Sequence, residues 1–119
     1  MYCYNHLFVG LLTVSIPSDQ YNVEAGHEVE LDCSVSGSPE VTSVLWKKIP
    51  LRGSVELTQD INTATSNGYY TGATISHPSL TITATGESDK ARYICTATNT
   101  IGTAQSQPTT LNVIGSKYR

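Results

Sequence analysis

The 119-residue sequence predicts an all-β sandwich of two antiparallel sheets joined by a disulfide, and three observations carry that expectation. Trp46 follows Cys33 by 13 positions and Cys95 follows it by 62, a spacing that suits a Cys33–Cys95 bond between packed sheets with an indole lying against it. The run Glu28-Val29-Glu30-Leu31-Asp32-Cys33-Ser34-Val35 alternates polar and apolar residues without a break, the period of a half-buried strand. Charged residues make up 14% of the chain against an average of about 25%, while Thr, Ser and Val are plentiful, as in strands with hydroxyl-bearing outer faces. The length has room for one domain, since a sandwich of this type takes about 100 residues.

Gly26-x-x-Val29-x-Leu31-x-Cys33 and Val44-x-Trp46 are followed in order by Leu80-x-Ile82, Asp89-x-Ala91-x-Tyr93-x-Cys95, Asn99-x-x-Gly102 and Leu111-x-Val113. This series resembles strands B, C, E, F and G of an intermediate-set immunoglobulin domain over roughly residues 13–114, and it is most similar to extracellular repeats of invertebrate adhesion and matrix proteins. The resemblance implies an immunoglobulin-like Greek-key sandwich with a core of Trp46, Tyr93, Leu31, Leu80, Ile82 and Leu111 around the disulfide. It also implies a non-enzymatic, extracellular recognition module for cell adhesion, with an innate immune receptor domain and an intracellular muscle-type domain as the alternatives. Two departures separate the chain from the variable set. No Arg or Lys stands between Asn67 and Ser79 to pair with Asp89 from strand D, and strand G carries Gly102 alone where Gly-x-Gly is usual.

Each element has its own local reason. Residues 12–16 read as strand A, and Pro17 suits an edge that leaves one sheet before residues 21–24 form A′ in the other. Ala25-Gly26 turns into strand B, with Val29, Leu31, Cys33 and Val35 inward. Gly37-Ser38-Pro39 leads to strand C at 42–48, where Val44 and Trp46 point inward and Leu45 and Lys47 outward. Residues 55–57 are the C′ candidate and 69–72 the D strand or its turn. Strand E is expected over 75–83, with Pro78 tolerated near its start. Residues 86–90 form the E–F turn, expected to hold a 3-10 turn capped by Ser88 or Asp89, with the Tyr93 hydroxyl bonded back to its backbone. Strand F covers 91–98 with Tyr93, Cys95 and Ala97 inward, a tight hairpin with Gly102 at positive φ follows, and strand G covers 103–113. Residues 12–114 are thus the domain, 1–11 an N-terminal segment read as a leader remnant or preceding linker, and 115–119 a linker tail.

Chemistry is sparse. His6, His27 and His77 fall in turns, a strand edge or the N-terminal piece, and no Ser-His-Asp or Cys-His arrangement follows from their placement. Cys3-x-x-His6 is half a zinc site without a second pair, Asp and Glu are too dispersed for calcium, and no cofactor is expected. Cys3 is left over from the disulfide. With a net charge of −3 and seven scattered Lys and Arg, the chain is not expected to bind nucleic acid. The apolar run at 7–16 is about half the length of a spanning helix, so no membrane insertion is expected from it.

The expected partner is a protein, a second copy or a different receptor. Strands C and F are neighbours in this fold, so Leu45 and Ile94 should form an apolar spot on the outer face of the G–F–C sheet, bordered by Lys47 and Thr96 and able to support a homodimer. Tyr69 and Tyr70 add to the surface, because one of two adjacent tyrosines on a strand must face out.

Overall fold

A computed structural model describes residues 12–52 and 57–115. The described chain is all-β apart from short 3-10 turns, and the alternation seen in the sequence becomes two facing layers. The first layer is six-stranded: β2 (Gln20–Glu24), β11 (Thr109–Ile114), β9 (Ala91–Thr98), β5 (Ser43–Pro50) and β6 (Gln59–Asp60) in that order, with β10 (Thr103–Gln105) also on β9. Facing it are β3 (Val29–Leu31), β8 (Leu80–Ile82) and β7 (Tyr70–Gly72), with β1 (Leu12–Ser15) on β4 (Ser34–Gly37) beside them.

The chain changes layers at Pro17. Strand β1 pairs with β4, and β2 then pairs with β11, so A and A′ lie in different sheets as the proline suggests. The β2–β11 pair is parallel, which corrects the expectation of wholly antiparallel sheets: A′ leaves the crossover running in the same direction as G.

The Cys33–Cys95 disulfide joins the layers, with Cα atoms 6.5 Å apart. Trp46 lies directly across from Cys95 on the neighbouring strand, and both are fully buried with Leu31, Leu80, Ile82, Tyr93 and Leu111. The indole Nε1 donates to the Pro78 carbonyl at 2.7 Å, so the one polar atom of the buried ring is satisfied. Both cysteine amides donate to serine hydroxyls: Cys33 N to Ser79 Oγ and Cys95 N to Ser106 Oγ, each at 3.0 Å.

Those serines account for breaks in the expected strands. Strand B divides into β3 and β4 where the Cys33 amide turns to Ser79. Strand G divides into β10 and β11 around Ser106, whose own amide also bonds to the Cys95 carbonyl, and around Pro108, which has no N–H to give. Strand E is shorter than the expected 75–83, because residues 74–77 close a turn through Thr74 N to His77 O and His77 N to Thr74 Oγ1. Gly72, at φ +83, leads into this turn, and a Cβ there would stand 2.2 Å from the Ser79 carbonyl oxygen.

Gly102 does not take positive φ as expected. The F–G hairpin is instead closed by the Asn99 side chain, which accepts from Ile101 N at 2.9 Å and Gly102 N at 3.0 Å, so the left-handed conformation is not needed. Val55 and Glu56 of the C′ candidate lie outside the described residues, and among the described residues the strand that pairs with C on the side away from F is Gln59–Asp60, opposite Lys47 and Lys48.

Candidate interaction face

Once Trp46 and Cys95 point inward, the pleat turns Leu45 and Lys47 on β5 and Ile94 and Thr96 on β9 to the outer side of the sheet. Leu45 stands opposite Thr96 and Lys47 opposite Ile94, which makes the two apolar residues diagonal neighbours. Leu45, Lys47 and Ile94 are each half-buried. Lys47 Nζ meets Asp60 Oδ1 at 3.1 Å, an exposed pair that orients the side chain and adds little stability.

Thr96 departs from the expected border position. It is 4% exposed, and its hydroxyl donates to the Leu45 carbonyl at 2.7 Å, which ties β9 to β5 and uses its polar atom internally. Ile49 shares the outward parity of Leu45 and Lys47 and is nevertheless buried, apart from the main core cluster. Leu45 also borders a hollow of about 290 Å³ that Val44, Ile61 and Ala73 line from the core side and Asp60, Asn62 and Thr63 complete.

The two tyrosines are also placed differently. The Tyr69 hydroxyl donates to Asp89 Oδ2, and both rings pack against the core cluster in an edge-to-face pair with centroids 5.0 Å apart. Both side chains are half-buried, and Ser66 fixes the backbone beneath them, binding Tyr70 at both N and O and accepting from Tyr69 N at its carbonyl. Burial raises the pKa of both phenols, and Asp89 adds to the effect.

Asp89 organises the E–F turn that supports strand F. Its Oδ2 also accepts from Gly86 N at 2.8 Å, and its carbonyl accepts from the Tyr93 hydroxyl at 2.6 Å, as expected for both residues. Tyr69 thus occupies the position at which a strand D arginine was missing from the sequence.

Two further features escaped the sequence. Lys48, which faces away from Lys47, donates to the Ser88 carbonyl at 2.6 Å and joins Arg52 and Lys90 in one groove at the end of the sandwich. His77 Nε2 lies 3.1 Å from Glu30 Oε2, tying the turn before strand E to strand B. Among the described residues no three His, Cys, Asp or Glu converge as a metal site, and no helix is long and apolar enough to cross a membrane. Cys3 and His6 lie outside the described residues.

The strand order, the disulfide and the buried tryptophan define an immunoglobulin-type domain. The family described as immunoglobulin domain matches residues 13–99, and the chain belongs to it. Protein amalgam of Drosophila melanogaster is 40% identical over 83 residues, covering 68% of this chain and 22% of that protein. The human peroxidasin homolog is 38% identical over 90 residues, 76% of this chain and 5% of its own length. A tyrosine-protein phosphatase Lar-like of Caenorhabditis elegans is 33% identical over 106 residues, 88% of this chain and 4% of the relative. The chain therefore spans less than a quarter of each of these relatives. A solved structure titled tandem Ig repeats of Dlar superposes with a TM-score of 0.69 at 24% identity over 88% of this chain and 49% of that one, a likeness of fold.

Proposed function

We propose that this chain is an intermediate-set immunoglobulin repeat of an extracellular protein, non-enzymatic, and that it recognises a protein partner in cell adhesion. The observation that carries the reading is the half-buried diagonal pair Leu45 and Ile94 on the outer side of the β5–β9 sheet, with Lys47 at its edge. A partner that covers two aliphatic side chains flanked by an oriented cation gains apolar burial together with a register-setting charge. The Cys33–Cys95 disulfide supports an oxidising compartment. The intermediate-set reading is supported by Tyr69 in place of a strand D arginine at Asp89.

The test is cell aggregation with the chain displayed on otherwise non-adherent cells. Wild-type chain should cluster the cells, or bind them to cells that carry a different receptor, and Leu45→Lys with Ile94→Glu should reduce the clustering. A reduction of about 2 kcal/mol or more in binding is expected for residues at the centre of an interface. Unchanged clustering by a folded double variant would show that this face does not bind the partner.

A further inference from the structure

We propose that the groove lined by Lys48, Arg52 and Lys90 receives the acidic row Glu28, Glu30 and Asp32 of a second copy, in a head-to-tail contact separate from the β5–β9 face. The groove measures about 720 Å³ and lies between the end of β5, the start of β6 and the 3-10 turn Glu87–Asp89. Among the described residues its wall carries three cations and one carboxylate, Glu87, on a chain whose net charge is −3. Lys90 Nζ meets Glu87 Oε2 at 3.1 Å, whereas the ammonium of Lys48 is held against a neutral carbonyl, that of Ser88. The charge excess among the described residues of the groove is therefore positive, and an anionic surface complements it. Leu51 and Leu57 stand in the same wall and are 51% and 55% exposed, so the complement must also offer apolar area.

The chain carries such a surface elsewhere. Glu28, Glu30 and Asp32 are all exposed and alternate with Val29, Leu31 and Cys33, which face the core. Successive carboxylates on one strand face stand roughly 7 Å apart, a straight row of negative charge. His77 binds Glu30, the Asp32 amide donates to the Tyr21 hydroxyl at 3.2 Å, and the turn that carries His77 also carries Ile75, 56% exposed. The row thus comes with an aliphatic side chain beside it, which would cover the two leucines. A sulfated polysaccharide would meet the cations and leave the leucines bare, and that distinction favours the second copy.

Groove and row share no residue and belong to different parts of the sandwich, so the contact is heterologous and leaves each added copy with an unused end. It is electrostatic at exposed positions and should weaken as salt shortens the screening length.

Sedimentation equilibrium at low ionic strength tests this on the wild type, a groove variant (Arg52→Glu with Lys90→Glu) and a row variant (Glu28→Lys with Asp32→Lys). The wild type should associate beyond the dimer, and each variant alone should associate at least about 10-fold more weakly. An equimolar mixture of the two should recover association, since each reversed surface meets its reversed complement. Leu57→Ser, which keeps every charge and changes only an exposed side chain, should also weaken association, while Leu45→Lys with Ile94→Glu should leave this contact intact. A mixture that fails to recover, or variants that associate as the wild type does, would overturn the proposal. So would a wild type that stays monomeric, including one that binds heparin through the same cations.

Discussion

The Tyr69 hydroxyl donates to the buried Asp89 carboxylate across 20 positions of sequence, and this bond ties the segment entering strand D to the E–F turn. Asp89 simultaneously caps Gly86 N and receives the Tyr93 hydroxyl at its carbonyl, so three structural segments meet on one residue. Tyr69→Phe keeps the ring packing and removes the bond. A loss of about 1.5–3 kcal/mol is expected, the range for hydrogen bonds to charged groups, and urea denaturation measures it.

Alkaline pH should destabilise the fold through the same cluster. Burial raises the pKa of Tyr93 above the ordinary phenol value of 10.0, with the Asp89 charge adding to the shift, and Tyr69 and Tyr70 move in the same direction. Below the unfolded phenol pKa both states hold the proton and stability is complete. Above it the unfolded chain releases a proton that the native state keeps, so stability falls as pH rises toward the folded pKa. For the fully buried Tyr93 the slope is about 1.4 kcal/mol per pH unit beyond about pH 10. Thermal melts at pH 8 to 11.5 should show this decline, steeper in wild type than in Tyr93→Phe after allowance for the lower starting stability of the variant.

Ser79 and Ser106 are predicted to be more costly to replace than ordinary strand serines. Each supplies the hydroxyl that accepts the amide of one disulfide cysteine, and both are buried. Ser79→Ala and Ser106→Ala should each lose about 1–3 kcal/mol by leaving a buried N–H without its acceptor. Amide exchange at Cys33 and Cys95 should accelerate in the corresponding variant.

The core gives the largest effects. The disulfide closes a separation of 62 residues, for which the chain-entropy model assigns about 4 kcal/mol. Trp46→Ala removes a fully buried indole and should cost about 3–5 kcal/mol. Calorimetry under oxidising and reducing conditions, with and without the substitution, measures both losses.

How much of this was legible in sequence depended on whether a feature is local. The alternation around Cys33 and Cys95 places inward and outward residues correctly because the pleat has a period of two, and Pro17 marks the change of sheet because it cannot donate to a ladder. Strand E is shorter than its sequence pattern suggests because Thr74 and His77 close a turn on each other and Ala73 N donates to the Ser79 carbonyl, contacts that a period of two does not reveal. Thr96 has the expected parity but is buried, since parity assigns a face and leaves coverage undecided. The Tyr69–Asp89 bond and the meeting of Lys48, Arg52 and Lys90 come from tertiary folding alone, which no local period encodes.

Amide chemical-shift mapping reads whether the outer side of the β5–β9 sheet contacts a protein. Isotope-labelled chain would be titrated with unlabelled chain at physiological salt, and with the receptor recovered from adherent cells. The largest shifts are expected on Leu45, Lys47 and Ile94, with smaller ones at Asp60 across the sheet. Shifts confined to the turns at 73–79 and 99–102, with Leu45 and Ile94 unmoved on saturation, would contradict that contact.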